Sequence, residues 1–446
     1  MKLPPDFQLG AATSAFQIEG ALHEDGRGPS IWDSFSGQSG DTGAMACDHY
    51  HRYEEDVEWM ARLGLHAYRF SIAWPRVLPR GNGSINTEGL DFYSRLVDKL
   101  LEHDIQPWPT LYHWDLPLAL EEKGGWESRD TAHHFADYAE VVVSKLGDRA
   151  KNWFTLNEPW SAIVLGYQTG QHAPGKKLPT KKALGASHNL FLAHGQALQR
   201  IRSLEAAHKV GLVLNPWIPL PLTRSEEDME AARRAWNEQV AWWFDPVFEG
   251  RYPDETSVPG VREGDLELIS QPTDHLGLNM YFPGFVRASK PQGQGYEDYG
   301  PVVTLPRSEM GWPTYPAGLS FLLEEVNRRY SPTAIYVTEN GCAAPDLLSD
   351  RGEIHDLYRQ DYIRAHLKEV LTSREQGVPV KGYFVWSLMD NFEWDKGYQK
   401  RFGLLHVDYD NMTRTLKRSG DWYSQVCRRR EIVGEPTLEA GRAKNR

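Results

Sequence analysis

Eight short runs rich in β-branched and aromatic residues recur along the chain, each followed by sequence with helical spacing. The strand candidates are 7–12, 67–74, 106–113, 152–157, 210–214, 275–281, 334–339 and 380–387. Between them Tyr93, Leu96, Val97, Leu100 and Leu101 fall at i, i+3, i+4, i+7 and i+8, and Phe135, Tyr138, Ala139, Val142, Val143 and Leu146 continue that spacing up to Gly147. Each set reads as an amphipathic helix with one buried stripe. Parallel strands need crossovers, usually helical, so eight such units predict an α/β fold, a single (β/α)8 TIM barrel with long βα loops. A doubly wound open sheet competes, but no GxGxxG or GxxxxGK(S/T) turn follows an early strand to cradle a phosphate.

An ordinary barrel of this kind needs about 250 residues, so much of the 446-residue chain must lie in loops. The longest candidate, 286–316, is rich in Gly and Pro, carries Tyr296, Tyr299, Trp312 and Tyr315, and is expected to rim a pocket. The catalytic domain is expected to span 1–430, with 431–446 a flexible tail after Arg428-Arg429-Arg430. A net charge of −12 argues against nucleic acid as a partner. No apolar run is long enough to span a membrane. Three unpaired cysteines and a start without a signal-like apolar stretch point to a reducing, cytoplasmic compartment.

Two runs end in carboxylates. In Thr155-Leu156-Asn157-Glu158-Pro159 the proline stops the strand and is expected to push Glu158 towards extended geometry. In Ile335-Tyr336-Val337-Thr338-Glu339-Asn340-Gly341 a turn follows Glu339. Carboxylates at the C-terminal ends of two barrel strands can converge across its mouth. His133-His134 and His188 with His194 lack an HExxH pattern or nearby cysteines and read as helix residues, so no metal or other cofactor is expected.

These motifs have company: His113-Trp114-Asp115-Leu116-Pro117, Tyr68-Arg69-Phe70-Ser71, Asn279-Met280-Tyr281, Phe16-Gln17-Ile18-Glu19-Gly20, and the aromatic run from Trp386 through Glu393-Trp394. Together, and in their order along the chain, they resemble glycoside hydrolase family 1, the β-glucosidase family. Leu118 departs from the glutamine many members carry there.

The resemblance implies that Glu339 is the nucleophile and Glu158 the acid/base of a retaining exo-β-glycosidase acting on small β-glucosides and oligosaccharides. It further implies that Gln17, His113, Asn157 and Glu393 bind sugar hydroxyls, that Trp386 and Trp394 pack on the ring, that Arg69, Asn279 and Tyr281 support the nucleophile, and that Trp312 serves the leaving-group site. Retention needs carboxyls about 5 Å apart, where two charges repel by about 3 kcal/mol at an effective dielectric of about 20, so only one ionises easily. Glu393 would repel a 6-phosphate, which favours unphosphorylated sugars. A silent glycan-binding barrel and a 6-phospho-β-glycosidase are the competing readings. Galactosides, fucosides and transglycosylation are expected as side activities; the sequence leaves leaving-group preference and oligomeric state open.

Overall fold

The structure, a computed structural model, describes residues 1–434 apart from 36, 206, 254–257, 290–294 and 301–303. Eight parallel strands close into a barrel: β1 Gln8–Ala12, β2 Ala67–Ser71, β3 Gln106–Tyr112, β4 Asn152–Asn157, β5 Lys209–Leu214, β6 His275–Asn279, β7 Ile335–Asn340 and β8 Val380–Trp386. Each pairs with its sequence neighbours, and the seam joins first to last, with Gln8 opposite Gly382 and Ala12 opposite Trp386. The expected strands are all present; their ends differ by a few residues, as at Trp74, which opens the short helix Trp74–Val77.

Helices cover the outside. In α1, Thr87–Glu102, Tyr93, Leu96, Val97 and Leu100 are buried as the spacing predicts, whereas Leu101, one residue further round, is 38% exposed. In α2, Asp130–Leu146, the whole expected stripe is buried. Among the described residues no helix is long and apolar enough to cross a membrane.

Aromatic rings fill the barrel interior. Trp108 lies 4.5 Å from Tyr336, 5.7 Å from Phe154 and 5.9 Å from Phe384, centroid to centroid. Gly10 makes room for them, since a Cβ there would stand 2.6 Å from the Phe384 ring. The interior is therefore a packed plug, and only the C-terminal mouth is left for chemistry.

The segment 286–316 is less of a loop than expected. Strands Gly284–Ala288 and Tyr296–Asp298 join Pro219–Pro221 in a small three-stranded sheet, and parts of the segment lie outside the described residues. Of the expected tail, 435–446 lies outside them too, while Glu431 bridges to Lys2 and the Ile432 N–H donates to the Met1 carbonyl at 2.9 Å.

Candidate active site

Glu158 follows the last residue of β4, and its conformation corrects the sequence-based expectation: φ is +46°, in the left-handed region and not extended. The cause is an immediate reversal. Its N–H still donates to Val213 on β5 at 2.9 Å, while Pro159 already starts a helix that continues as the π-helix Ser161–Gln168. Trp114 and Trp394, both in the pocket wall, share this positive φ. Such conformations in non-glycine residues cost about 1–3 kcal/mol each and cluster where a site imposes them.

Glu339 lies within β7, almost fully buried. Arg69 Nη1 donates to Glu339 Oε1 at 2.5 Å and Arg69 Nη2 to Asn157 Oδ1 at 2.6 Å. Tyr281 donates its hydroxyl to Glu339 Oε2 at 2.7 Å. Asn279 Nδ2 donates to Glu158 Oε1 at 2.7 Å and also lies against Glu339. The other hydrogen of that amide goes to Asn157 Oδ1 at 3.1 Å, so Asn279 ties the acid side of the site to the network around Arg69.

The two carboxyls feel different surroundings. Burial and then the charge of Glu339 push Glu158 up to about 7. Burial also raises Glu339, but its strongest neighbours, Arg69 and Tyr281, pull the other way. The same site thus favours a proton on Glu158 and the anion on Glu339.

Both face a pocket of about 390 Å³ whose wall includes His113, Asn279, Tyr281, Trp312, Trp386, Glu393 and Trp394, a size ordinary for small-molecule sites. His113 accepts from Asn157 Nδ2 through Nε2 at 3.0 Å. Burial and the Arg69 charge lower its pKa, so the ring is neutral and the proton sits on Nδ1, which has no protein partner. Glu393 also leaves one carboxyl oxygen without a partner. Burial, then the charges of Glu339, Asp395 and Glu158, push it up to about 8. Trp394 is gripped by Trp32 at 4.5 Å, Trp114 at 4.7 Å and Phe16 at 6.2 Å.

Two residues read as sugar ligands do not form the wall. Gln17 is fully buried, accepting from Ser14 at 2.6 Å and donating to the Phe392 carbonyl at 2.8 Å and Asn391 at 3.1 Å. In this structure it anchors the segment that carries Glu393. Asn157 stands behind His113, bound to Arg69 and Asn279. Of the four loop aromatics only Trp312 reaches the pocket; Tyr315 packs on Phe285 and Tyr299 beneath Arg287. Sequence reading missed Thr338, whose hydroxyl fixes Asn279 Oδ1 at 2.7 Å, and Ser161, which donates to Glu158 Oε2 at 2.7 Å. Thr338 lay inside a motif already in view; nothing in the spacing marked Ser161.

His188 bonds to Asp265 and Tyr252, and His194 to Thr155, within one long helix, Thr180–Leu204. Among the described residues one group, Asp346, Asp390 and His406, has metal-like spacing. Lys417 Nζ already lies 2.7 Å from Asp346 and 2.6 Å from Asp390, so a cation of the protein's own fills that role.

A barrel with two buried carboxyls in unequal surroundings at its strand ends, opening on an aromatic-walled pocket, defines a glycoside-cleaving enzyme. The family model described as glycosyl hydrolase family 1 matches residues 1–432, and the chain belongs to this family of retaining enzymes. It is 44% identical over 442 residues to a 1,4-beta-D-glucan glucohydrolase of Thermotoga neapolitana, covering 96% of this chain and 98% of that one. A bifunctional beta-D-glucosidase/beta-D-fucosidase of Bifidobacterium breve is 45% identical over 455 residues, covering 95% and 97% respectively. The structure of beta-glucosidase from Thermotoga maritima in complex with glucoimidazole superposes with a TM-score of 0.91 at 43% identity, covering 96% of this chain and 99% of that one.

Proposed function

We propose that the protein is a retaining exo-β-glucosidase that releases the non-reducing terminal β-D-glucosyl residue of small glucosides and oligosaccharides. The observation that carries this reading is the unequal pair: Glu339 held by Arg69 and Tyr281, and Glu158 beside it with its proton affinity raised. Glu339 attacks the anomeric carbon while Glu158 gives its proton to the leaving oxygen, so one C–O bond forms as the other breaks. Esterification removes the Glu339 charge, the proton affinity of Glu158 falls, and it accepts a proton from the water that cleaves the ester.

His113 and Glu393 offer unpartnered polar atoms for sugar hydroxyls, Trp386 and Trp394 the ring platforms, and Trp312 the leaving-group wall. Glu339 and Asp395, two of the charges that raise Glu393, would also repel a 6-phosphate, so unphosphorylated sugars are the substrates. The glucohydrolase and glucosidase/fucosidase names among relatives support glucosides with fucosides as a side activity. Galactosides and transfer to acceptor sugars are part of the same proposal. Three buried free cysteines support a cytoplasmic setting, testable by cell fractionation.

Proton NMR of an aryl β-glucoside digest tests the mechanism: β-glucose forms first if the reading is right, and α-glucose overturns it. A higher kcat/KM on cellobiose 6-phosphate than on cellobiose would overturn the substrate assignment.

A further inference from the structure

The second oxygen of Glu158 has a built partner that the mechanism above does not use. Ser161, 3% exposed, sits one turn on at the start of the π-helix, and its hydroxyl lies 2.7 Å from Glu158 Oε2. Asn215, just beyond the end of β5, places Nδ2 2.9 Å from the same hydroxyl. An amide N–H can only donate, so the Ser161 oxygen accepts from Asn215 and its single hydrogen is left for Glu158. On the opposite side Thr338 holds Asn279 by its carbonyl oxygen, which turns Nδ2 towards Glu158 Oε1. Each carboxyl oxygen thus faces one donor of fixed direction, and the two donors come from different strand ends.

We infer that Ser161, oriented by Asn215, is a positioning residue for Glu158: it locks the rotation of the carboxyl and stabilises its ionised form. The inference rests on Glu158 being the acid/base. It assigns the second half of the reaction a need the first half lacks. An acid in a buried site beside another carboxylate keeps its proton readily, but it must give that proton up and work as a base in the next step. A hydrogen bond to the anion serves that step. The other charged or titratable groups that act on Glu158 or line its pocket, among the described residues, are Glu339 on β7, Arg69 on β2, Tyr281 after β6, Glu393, Asp395 and Lys396 after β8, His113 after β3 and His172 beyond the π-helix. Removing Ser161 alters none of them directly, so the change should be confined to Glu158.

The test is the pH profile of kcat/KM on cellobiose, whose poor leaving group needs the acid, for wild type, Ser161→Ala, Ser161→Thr and Asn215→Leu, with Glu158→Ala as a control. In Ser161→Ala the alkaline limb moves up by about one pH unit, because the anion has lost a donor. The acid limb stays in place. Ser161→Thr restores the wild-type limb, and Asn215→Leu shifts it the same way by less. An unmoved limb with activity lowered evenly at all pH values would reduce Ser161 to packing and overturn the inference. A downward shift would overturn it too, since Ser161 would then be donating to Asn215. If Ser161→Ala fails to fold, Asn215→Leu alone decides. Full activity in Glu158→Ala would instead sink the acid/base assignment itself.

Discussion

Two clusters of buried carboxyls lie on either side of the β8 loop, and they are balanced in opposite ways. Behind the loop, Asp346, Asp356 and Asp390 meet three cations: Lys417 bonds Asp390 at 2.6 Å and Asp346 at 2.7 Å, Arg401 bonds Asp390 at 2.7 Å, and Arg359 pairs with Asp346 and Asp356. Burial alone would raise Asp390, yet Lys417, Arg401 and Arg359 hold it below the usual carboxylate range. At the mouth, Arg69 is the cation that acts on Glu158 and Glu339, Glu393 is pressed mainly by other carboxylates, and all three carboxyls are raised. Desolvation acts on both clusters; the count of opposing charges differs. Matched charge makes a fastening, and a deficit of cations makes groups that exchange protons near neutral pH.

The contrast can be broken from either end. The largest effect is expected from Glu339→Gly, which should lower kcat on aryl glucosides on the order of 10⁴-fold or more. Glu158→Ala should cost about 10²- to 10⁴-fold, least with activated leaving groups that need no acid. Glu158→Ala should not lower the midpoint of chemical denaturation, because it removes a carboxyl from a site with too many, whereas Glu339→Gly strands the buried Arg69 and should lower it; a destabilised Glu158→Ala would contradict the charge-deficit view. Lys417→Met should do the reverse, costing about 3–5 kcal/mol by urea titration as it strands Asp390 and Asp346. Unchanged stability there would sink the fastening role.

A smaller effect sharpens the same argument at Asp115, fully buried with no partner on either oxygen and pushed up to about 8 by burial. Its folded pKa lies above the ordinary value of about 3.9. The native state therefore binds more protons between about pH 4 and 8, and stability falls as pH rises through that window. Asp115→Asn should raise Tm at pH 8 and leave it unchanged at pH 4; equal shifts at both would show that charge is not the cause.

The barrel was legible because parallel strands buried on both faces read as nearly continuous apolar runs, each with a crossover of helical period. The carboxylates were legible because a proline after Glu158 and an Asn-Gly after Glu339 mark strand ends. Local rules then stopped short. Proline restricts its predecessor but does not say whether the chain runs on or reverses, and the left-handed turn at Glu158 depends on pairing with Val213. Gln17 was read as a sugar ligand, yet Asn391 and Phe392, distant in sequence, occupy its amide. The high proton affinity of Glu393 arises first from burial and then from Glu339 on another strand end, with Asp395 two residues on and Glu158 adding to it, so most of it belongs to the closed mouth and not to its own segment.

The pairing of β1 with β8 has a consequence for biosynthesis. Residues 8–12 are made well before residues 380–386 and gain their second neighbour only when those have followed, so the nascent chain carries an open strand edge over that whole interval. A product truncated before residue 380 would keep two such edges and lack Glu393 as well. Aggregation or proteolysis, and not partial activity, is the expected fate of such fragments.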